Sequence, residues 1–185
     1  SNKNPQNIFT DIYKNNDWKG AESISGQGSD LLETTVLLNK LPSFLDKHQI
    51  KTLVDLPCGD HNWIQHLEYK FDQYIGIDIV EDIIKDNNKN YISDEKIFIQ
   101  KNCLTDKIND ADLILCRDLL IHFSDEDIFR FLNNLKNSNI TYLLTTHFTE
   151  GKNYDIATGQ WRPINLEAPP FNFPKPIESI IEETK

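Results

Sequence analysis

The sequence has no apolar run approaching the ~18 residues that a transmembrane helix requires, which excludes a membrane-spanning role. It has no excess of positive charge either. Nineteen Lys and Arg stand against 29 Asp and Glu, a formal net charge of -10, and no basic stripe interrupts the acidic background. Non-specific nucleic-acid binding and attraction to anionic lipid both need such a stripe, so both are disfavoured. Cysteine is scarce: Cys58, Cys103 and Cys116 are an odd number at wide spacings with no CxxC pair. This argues against a zinc ribbon or a disulfide scaffold, and the reading is reduced thiols, no metal site and a cytoplasmic protein. No signal-peptide core opens the chain, and no G-x-G-x-x-G turn is present anywhere, so a nicotinamide-binding turn is not supplied.

What is present suits one globular domain. The chain of 185 residues carries 38% hydrophobic and 10% aromatic residues, enough for a single core and too little for two. Three regions are expected within that domain: N-terminal helices and a lid loop over 1–49, a ligand-binding core over 50–148, and a proline-rich cover over 149–185. The last holds five of the eight prolines, at Pro163, Pro169, Pro170, Pro174 and Pro176.

Hydrophobic periodicity gives the elements. Ile8, Phe9, Ile12 and Tyr13 predict a short helix within 5–15. A second amphipathic helix starts near Asp30 and is expected to break at Pro42. Then short apolar runs alternate with helical patterns. Strands are predicted at 52–56, 74–78, 97–99, 111–116 and 141–146. Helices are predicted through Trp63, Ile64 and Leu67, over 80–91, and after Ser124, whose hydroxyl and the acidic run Asp125–Asp127 favour a helix start. A final helix is expected over 176–183, and the Trp161 to Phe173 segment is expected to pack as an extended cover. Continuously apolar strands with intervening helices imply an α/β fold with a doubly wound, mostly parallel Rossmann-like sheet. Right-handed crossovers collect all strand C-termini on one edge, where ligands bind.

Two features occupy that edge. The first is the turn Asp55-Leu56-Pro57-Cys58-Gly59-Asp60-His61 after the first strand. Gly59 lets a ligand approach the backbone, and N–H groups of the turn can take a polar or anionic group. The second is Asp78, nineteen residues beyond Gly59 at the end of the second strand, where a carboxylate can accept both hydroxyls of a ribose. Together they point to a nucleoside-containing cofactor lying across the first two strands.

These residues resemble the class I S-adenosylmethionine-dependent methyltransferases. That family's first motif, D-x-G-x-G-x-G, corresponds to Asp55 to His61, with Gly59 as its middle glycine and Pro57 and His61 in place of the other two. Tyr74 to Ile79 (YIGIDI) looks like the second motif and Asp112 to Phe123 (DLILCRDLLIHF) like the fourth-strand motif. The likeness covers residues 50–148, and Trp18 with Glu22 to Ser29 looks like the start of a bacterial subgroup.

The resemblance implies a seven-stranded sheet with its C-terminal strands short or remodelled, S-adenosylmethionine as cofactor, and transfer of the sulfonium methyl to a nucleophile. It assigns Asp55, Pro57, Cys58, Gly59, Asp60, Asp78, Ile79, Asn102, Cys103 and Gly26 to cofactor binding. Arg117, Asp118 and His147, at the ends of the fourth and fifth strands, are the expected acceptor-side group. His147 is the favoured base, with His61, His122 and Asp118 as alternatives. A cation, an anion and an imidazole suit a polar small-molecule or glycan-like acceptor, methylated at oxygen. The rivals are a catalytically degenerate binding module and a nicotinamide-dependent oxidoreductase. Neither the acceptor nor the oligomeric state is readable.

Overall fold

The structure is a computed structural model and describes residues 4–182. Five strands, β1 (Thr52–Asp55), β2 (Gln73–Asp78), β3 (Lys96–Gln100), β4 (Ala111–Cys116) and β5 (Ile140–Thr145), form one sheet in the order β3-β2-β1-β4-β5. Every pairing is parallel. The α/β, Rossmann-like expectation therefore holds. Among the described residues the sheet has five strands, and the last strands of the seven-stranded type, expected to be short or remodelled, are not seen.

Period-two alternation sorts the strand residues onto two faces. Val54, Ile75, Ile114 and Cys116 enter one core. Leu53, Tyr74, Leu113 and Leu115 enter the other. The first face is covered by α1 (Pro5–Asn15), α4 (Asp125–Leu135) and the chain after Phe148, which contributes Ile164, Leu166 and Phe171. The second is covered by α2 (Leu31–Lys47), which buries Leu37, Leu41 and Leu45. Each such leucine contributes about 1.5–3 kcal/mol of transfer free energy. The remaining helix, α3 (Glu81–Tyr91), lies against β2 and β3, with Ile83 in one core and Ile84 in the other.

Helix ends follow the local chemistry. Asn4 caps α1 through the Gln6 N–H, with Pro5 at the first position where no N–H is needed. Ser124 caps α4 through the Asp127 N–H. Pro42 does not break α2, which runs on through it.

Two predicted helices are absent. Residues 63–67 make only a single 3-10 turn at Ile64–His66. His61 is left-handed (φ 62°), and Asn62 turns its side chain to Glu22 and the Ser29 carbonyl, so no helix start forms. Trp63 and Ile64 are buried without a helix, in the same core as the α2 leucines. Residues 176–182 are also non-helical, and Glu183 lies outside the described residues. That segment is tied by side chains: Glu178 bonds Lys47 and His48, and Glu182 pairs with Arg117 at 2.9 Å. The cover from Phe148 to Phe173 does pack as extended chain. The Arg162 N–H bonds the Ile121 carbonyl at 3.1 Å, and the Gly159 N–H bonds that of His122 at 2.8 Å.

Among the described residues, no helix is long and apolar enough to cross a membrane.

Candidate active site

The order β3-β2-β1-β4-β5 reverses direction between β1 and β4, and the site lies outside the strand ends beside that point. A cavity of about 390 Å³ opens there, within the usual span for small-ligand sites.

Its floor begins with the turn after β1. The Cys58 N–H bonds the Ile77 carbonyl at 2.9 Å, which holds the turn against β2. Gly59 adopts φ +52°. Its N–H donates to Asp78 Oδ2 at 3.1 Å, and its carbonyl accepts from Asn87 Nδ2 at 2.7 Å. The other Asp78 oxygen accepts the Val80 N–H at 3.0 Å. The two oxygens of one carboxylate are spaced to accept from the two hydroxyls of a vicinal diol. Burial pushes Asp78 up to about 6, against the pull of its backbone donors.

Asp55 is also buried, and burial raises its carboxyl to about 7, opposed by a hydrogen bond from the Tyr74 hydroxyl. Pro57, Cys58, Ile79, Asn102 and Cys103 all line the cavity. Asn102 has its Oδ1 on the Leu104 N–H at 3.0 Å, which leaves its amide N–H₂ as a donor. Cys58 and Cys103 are buried thiols pushed well above their ordinary values by desolvation.

Asp60 does something other than expected. It is not a wall of the cavity. Its carboxylate accepts the Ser23 hydroxyl at 2.9 Å and the Ile24 N–H at 3.0 Å, so it anchors the N-terminal loop. Gly59 has a related role. A Cβ there would stand 2.2 Å from Ser25 Oγ, so the close approach this glycine permits is that of the chain's own loop. The loop so docked closes the cavity with Trp18, Ile24 and Gly26 (φ +101°). Over it lies α1, which contributes Phe9 and Tyr13 to the wall. No sequence motif marked these two residues. Their helical spacing was visible, but an amphipathic stripe reads equally as core.

At the end of β4, Arg117 and Asp118 both face the cavity. Arg117 is held by Asp118 at 3.1 Å, the Gly28 carbonyl at 2.8 Å and Glu182 at 2.9 Å. Asp118 is pinned by Thr146, which accepts its N–H and donates to its carboxylate, each at 2.8 Å.

The histidines separate sharply. His147 is not a cavity wall. Its Nδ1 accepts the Leu166 N–H at 3.0 Å and its Nε2 stands 3.5 Å from Glu167, so it fastens the C-terminal cover. His61 is buried behind the turn, between Tyr74 and Lys96. His122 is the one that lines the cavity, stacked on Trp18 with ring centroids 4.8 Å apart. Its Nδ1 lies 2.9 Å from the Gln160 carbonyl, which can only accept, so Nδ1 carries the proton and Nε2 is the basic nitrogen. Burial lowers its pKa and keeps the ring neutral.

No family model matches the sequence, and no curated protein matches it. Solved structures do. The methyltransferase domain of bacterial CtHen1 superposes with a TM-score of 0.53 at 14% identity, over 60% of this chain and 65% of that one. Magnesium protoporphyrin IX methyltransferase from Synechocystis, solved with S-adenosylmethionine, gives 0.52 at 14% identity, over 73% and 72%. Phosphoethanolamine N-methyltransferase 1 from Haemonchus contortus, solved with phosphoethanolamine and S-adenosylhomocysteine, gives 0.54 at 15% identity, over 86% and 36%. The chain has a methyltransferase fold. It spans less than two thirds of the CtHen1 domain and about a third of the nematode enzyme. Among the described residues, no group of three or more His, Cys, Asp or Glu side chains is placed to hold a metal ion.

Proposed function

We propose that the chain is an S-adenosylmethionine-dependent methyltransferase acting on a small polar acceptor, a small molecule or glycan-like, at oxygen. The observation that carries the cofactor reading is the pairing of Gly59 and Asp78 at the floor of the cavity. A buried carboxylate there presents two oxygens beside apolar cavity walls, which suits a ribose diol and an adenine ring. Asp78 would hold the ribose, Ile79, Asn102 and Cys103 the base, and the Pro57–Gly59 turn with Gly26 the remainder. Bound S-adenosylmethionine supplies an electrophilic methyl group.

The chain's own residues then have two tasks. The first is to orient and enclose. The docked loop and α1 roof the cavity, which excludes water and favours a small acceptor over a polymer. The second is to take a proton. His122, neutral and with Nε2 free of the Nδ1 proton, is the base this geometry supports, in place of His147. Arg117 and Asp118 beside it supply a donor and an acceptor to orient a polar acceptor. Three buried, unpaired cysteines support a reducing compartment, the cytoplasm.

Titration calorimetry tests the reading. S-adenosylmethionine and S-adenosylhomocysteine should bind, and NADH should not. Binding of NADH with neither sulfur compound bound would overturn it.

A further inference from the structure

Behind the cavity runs a line of four side chains that the proposed reaction does not use. Lys96 Nζ lies 3.0 Å from His61 Nε2. His61 Nδ1 lies 3.2 Å from the Tyr74 hydroxyl. That hydroxyl donates to Asp55, which lines the cavity. The donors and acceptors allow one arrangement. An ammonium has no acceptor, so His61 Nε2 must accept from it, and the ring proton then sits on Nδ1. Nδ1–H donates to the Tyr74 oxygen, leaving the Tyr74 hydrogen for Asp55. All three bonds point the same way, toward the carboxylate, and such chains polarise one another in a buried setting.

We propose that Lys96, His61 and Tyr74 form a one-directional hydrogen-bond chain that favours the ionised form of Asp55, which meets a positive charge of the bound cofactor. The assignment rests on the cofactor reading above. The three residues act through Asp55 and are positioning residues. When a cationic cofactor binds, an Asp55 still protonated loses its proton to the buffer, and no covalent bond is made or broken.

The surroundings make Asp55 the group to control. Burial works against its charge, and Asp78 at the end of β2 works the same way. Arg117 and the Tyr74 hydrogen bond work for it. The neighbouring Cys58 and Cys116 thiols are pushed up by burial and stay neutral. His61, drawn down to about 3 by burial and by Lys96, is neutral across the working range, as this tautomer requires. Lys96 itself is lowered by its partial burial. The balance leaves the carboxyl at about 7, where the loss of one donor changes its charge state.

The test is the pH dependence of binding between pH 6 and 8, by titration calorimetry on the wild type, D55N, Y74F and K96Q. Wild-type affinity for S-adenosylmethionine should rise with pH, by up to about tenfold per unit below the midpoint. D55N should lose the rise centred near pH 7 and keep only the lower-pH rise that Asp78, at about 6, contributes. Y74F and K96Q should bind with the midpoint moved upward, because each removes support for the anion. S-adenosylhomocysteine separates the two candidate charges. A flat wild-type profile with it assigns the effect to the sulfonium, and an equal rise assigns it to the ammonium. A K96Q profile superimposed on the wild type, or a D55N profile that still rises between pH 7 and 8 as the wild type does, would overturn the proposal.

A second measurement needs no ligand. Carboxyl-carbon NMR of the free protein should show a titration near pH 7 that D55N removes and that Y74F and K96Q shift upward. Its absence overturns the chain whatever binds. If S-adenosylmethionine fails to bind at any pH, the cofactor reading falls, and the NMR titration alone then decides whether the chain sets the charge of Asp55.

Discussion

Asp78 accepts the Gly59 N–H at 3.1 Å, so the end of β2 holds the turn that follows β1. The same carboxylate holds the Val80 N–H ahead of α3. One side chain thus joins two strand ends and a helix start at the cavity floor. Asp78→Ala should weaken S-adenosylmethionine binding by about 1–3 kcal/mol, the range for hydrogen bonds to a charged group and for partners left unpaired. Calorimetry on the folded variant checks this, and unchanged affinity would remove Asp78 from the ribose site.

The loop anchored by Asp60 should govern cofactor retention. Asp60→Ala leaves the fully buried Ser23 hydroxyl and the Ile24 N–H without their acceptor. A stability loss of about 1–3 kcal/mol is expected. Cofactor dissociation should accelerate, and amide exchange over residues 18–29 should rise while the sheet stays protected. Deleting residues 1–29 should give the same retention defect more strongly. A truncated protein with wild-type dissociation would show that the loop is not a lid.

Gly59→Ala should displace the same loop by a different route. The new Cβ would meet Ser25 Oγ, on a backbone at φ +52° that disfavours a side chain. If the clash with Ser25 dominates, Gly59→Ala combined with Ser25→Gly should recover part of the lost affinity. If backbone strain dominates, the double variant should bind no better than Gly59→Ala alone.

His122 and His147 should respond differently to substitution. His122→Gln should lower kcat by about 10²–10⁴-fold and leave cofactor affinity near wild type. His147→Ala should keep its rate and instead lose stability, by about 1–3 kcal/mol, because the Leu166 N–H loses its acceptor. A His147→Ala protein that folds and binds cofactor but fails to turn over would return His147 to the mechanism.

Asp55 and Asp78 should lower stability as pH rises from about 4 to about 7, against an opposite contribution from His61, whose pKa is drawn down to about 3 in the fold and which favours folding as pH rises toward its ordinary value. Asp55 and Asp78 are both raised in the fold, to about 7 and about 6, above the ordinary carboxylate value. Between the unfolded and folded values the native state holds more protons, so rising pH favours unfolding. Each tenfold gain in a carboxyl's proton affinity on folding corresponds to about 1.4 kcal/mol. Denaturant titrations at pH 5 and pH 8 should show a smaller loss for D55N than for the wild type. An equal loss would mean that the native carboxyl is not raised.

Several features were legible because they are local. Strand positions, α3, α4 and the parallel sheet follow from apolar runs and spacing that any fold of this chain must satisfy. The Gly59 turn and the Asp78 position followed from where a first βα turn and a second strand must end. The single turn in place of the 63–67 helix, and the unbroken α2 around Pro42, were not readable. Trp63 and Ile64 are buried in the core that α2 also enters, and α2 buries Leu41 and Leu45 on either side of Pro42.

The amino-acid sequence alone therefore determined which residues reach the ligand edge of the sheet, through periodicity and the handedness of crossovers. Which of those residues face the cavity was decided only in three dimensions. Asp60 was taken by Ser23, and His147 by Leu166, leaving His122 at the cavity wall. Tyr74 reached Asp55 because the register sets Leu53 beside Tyr74 and Asp55 beside Gly76. A polar side chain bonds to whichever partner folding brings within about 3 Å, and that partner is often tens of residues away in the chain.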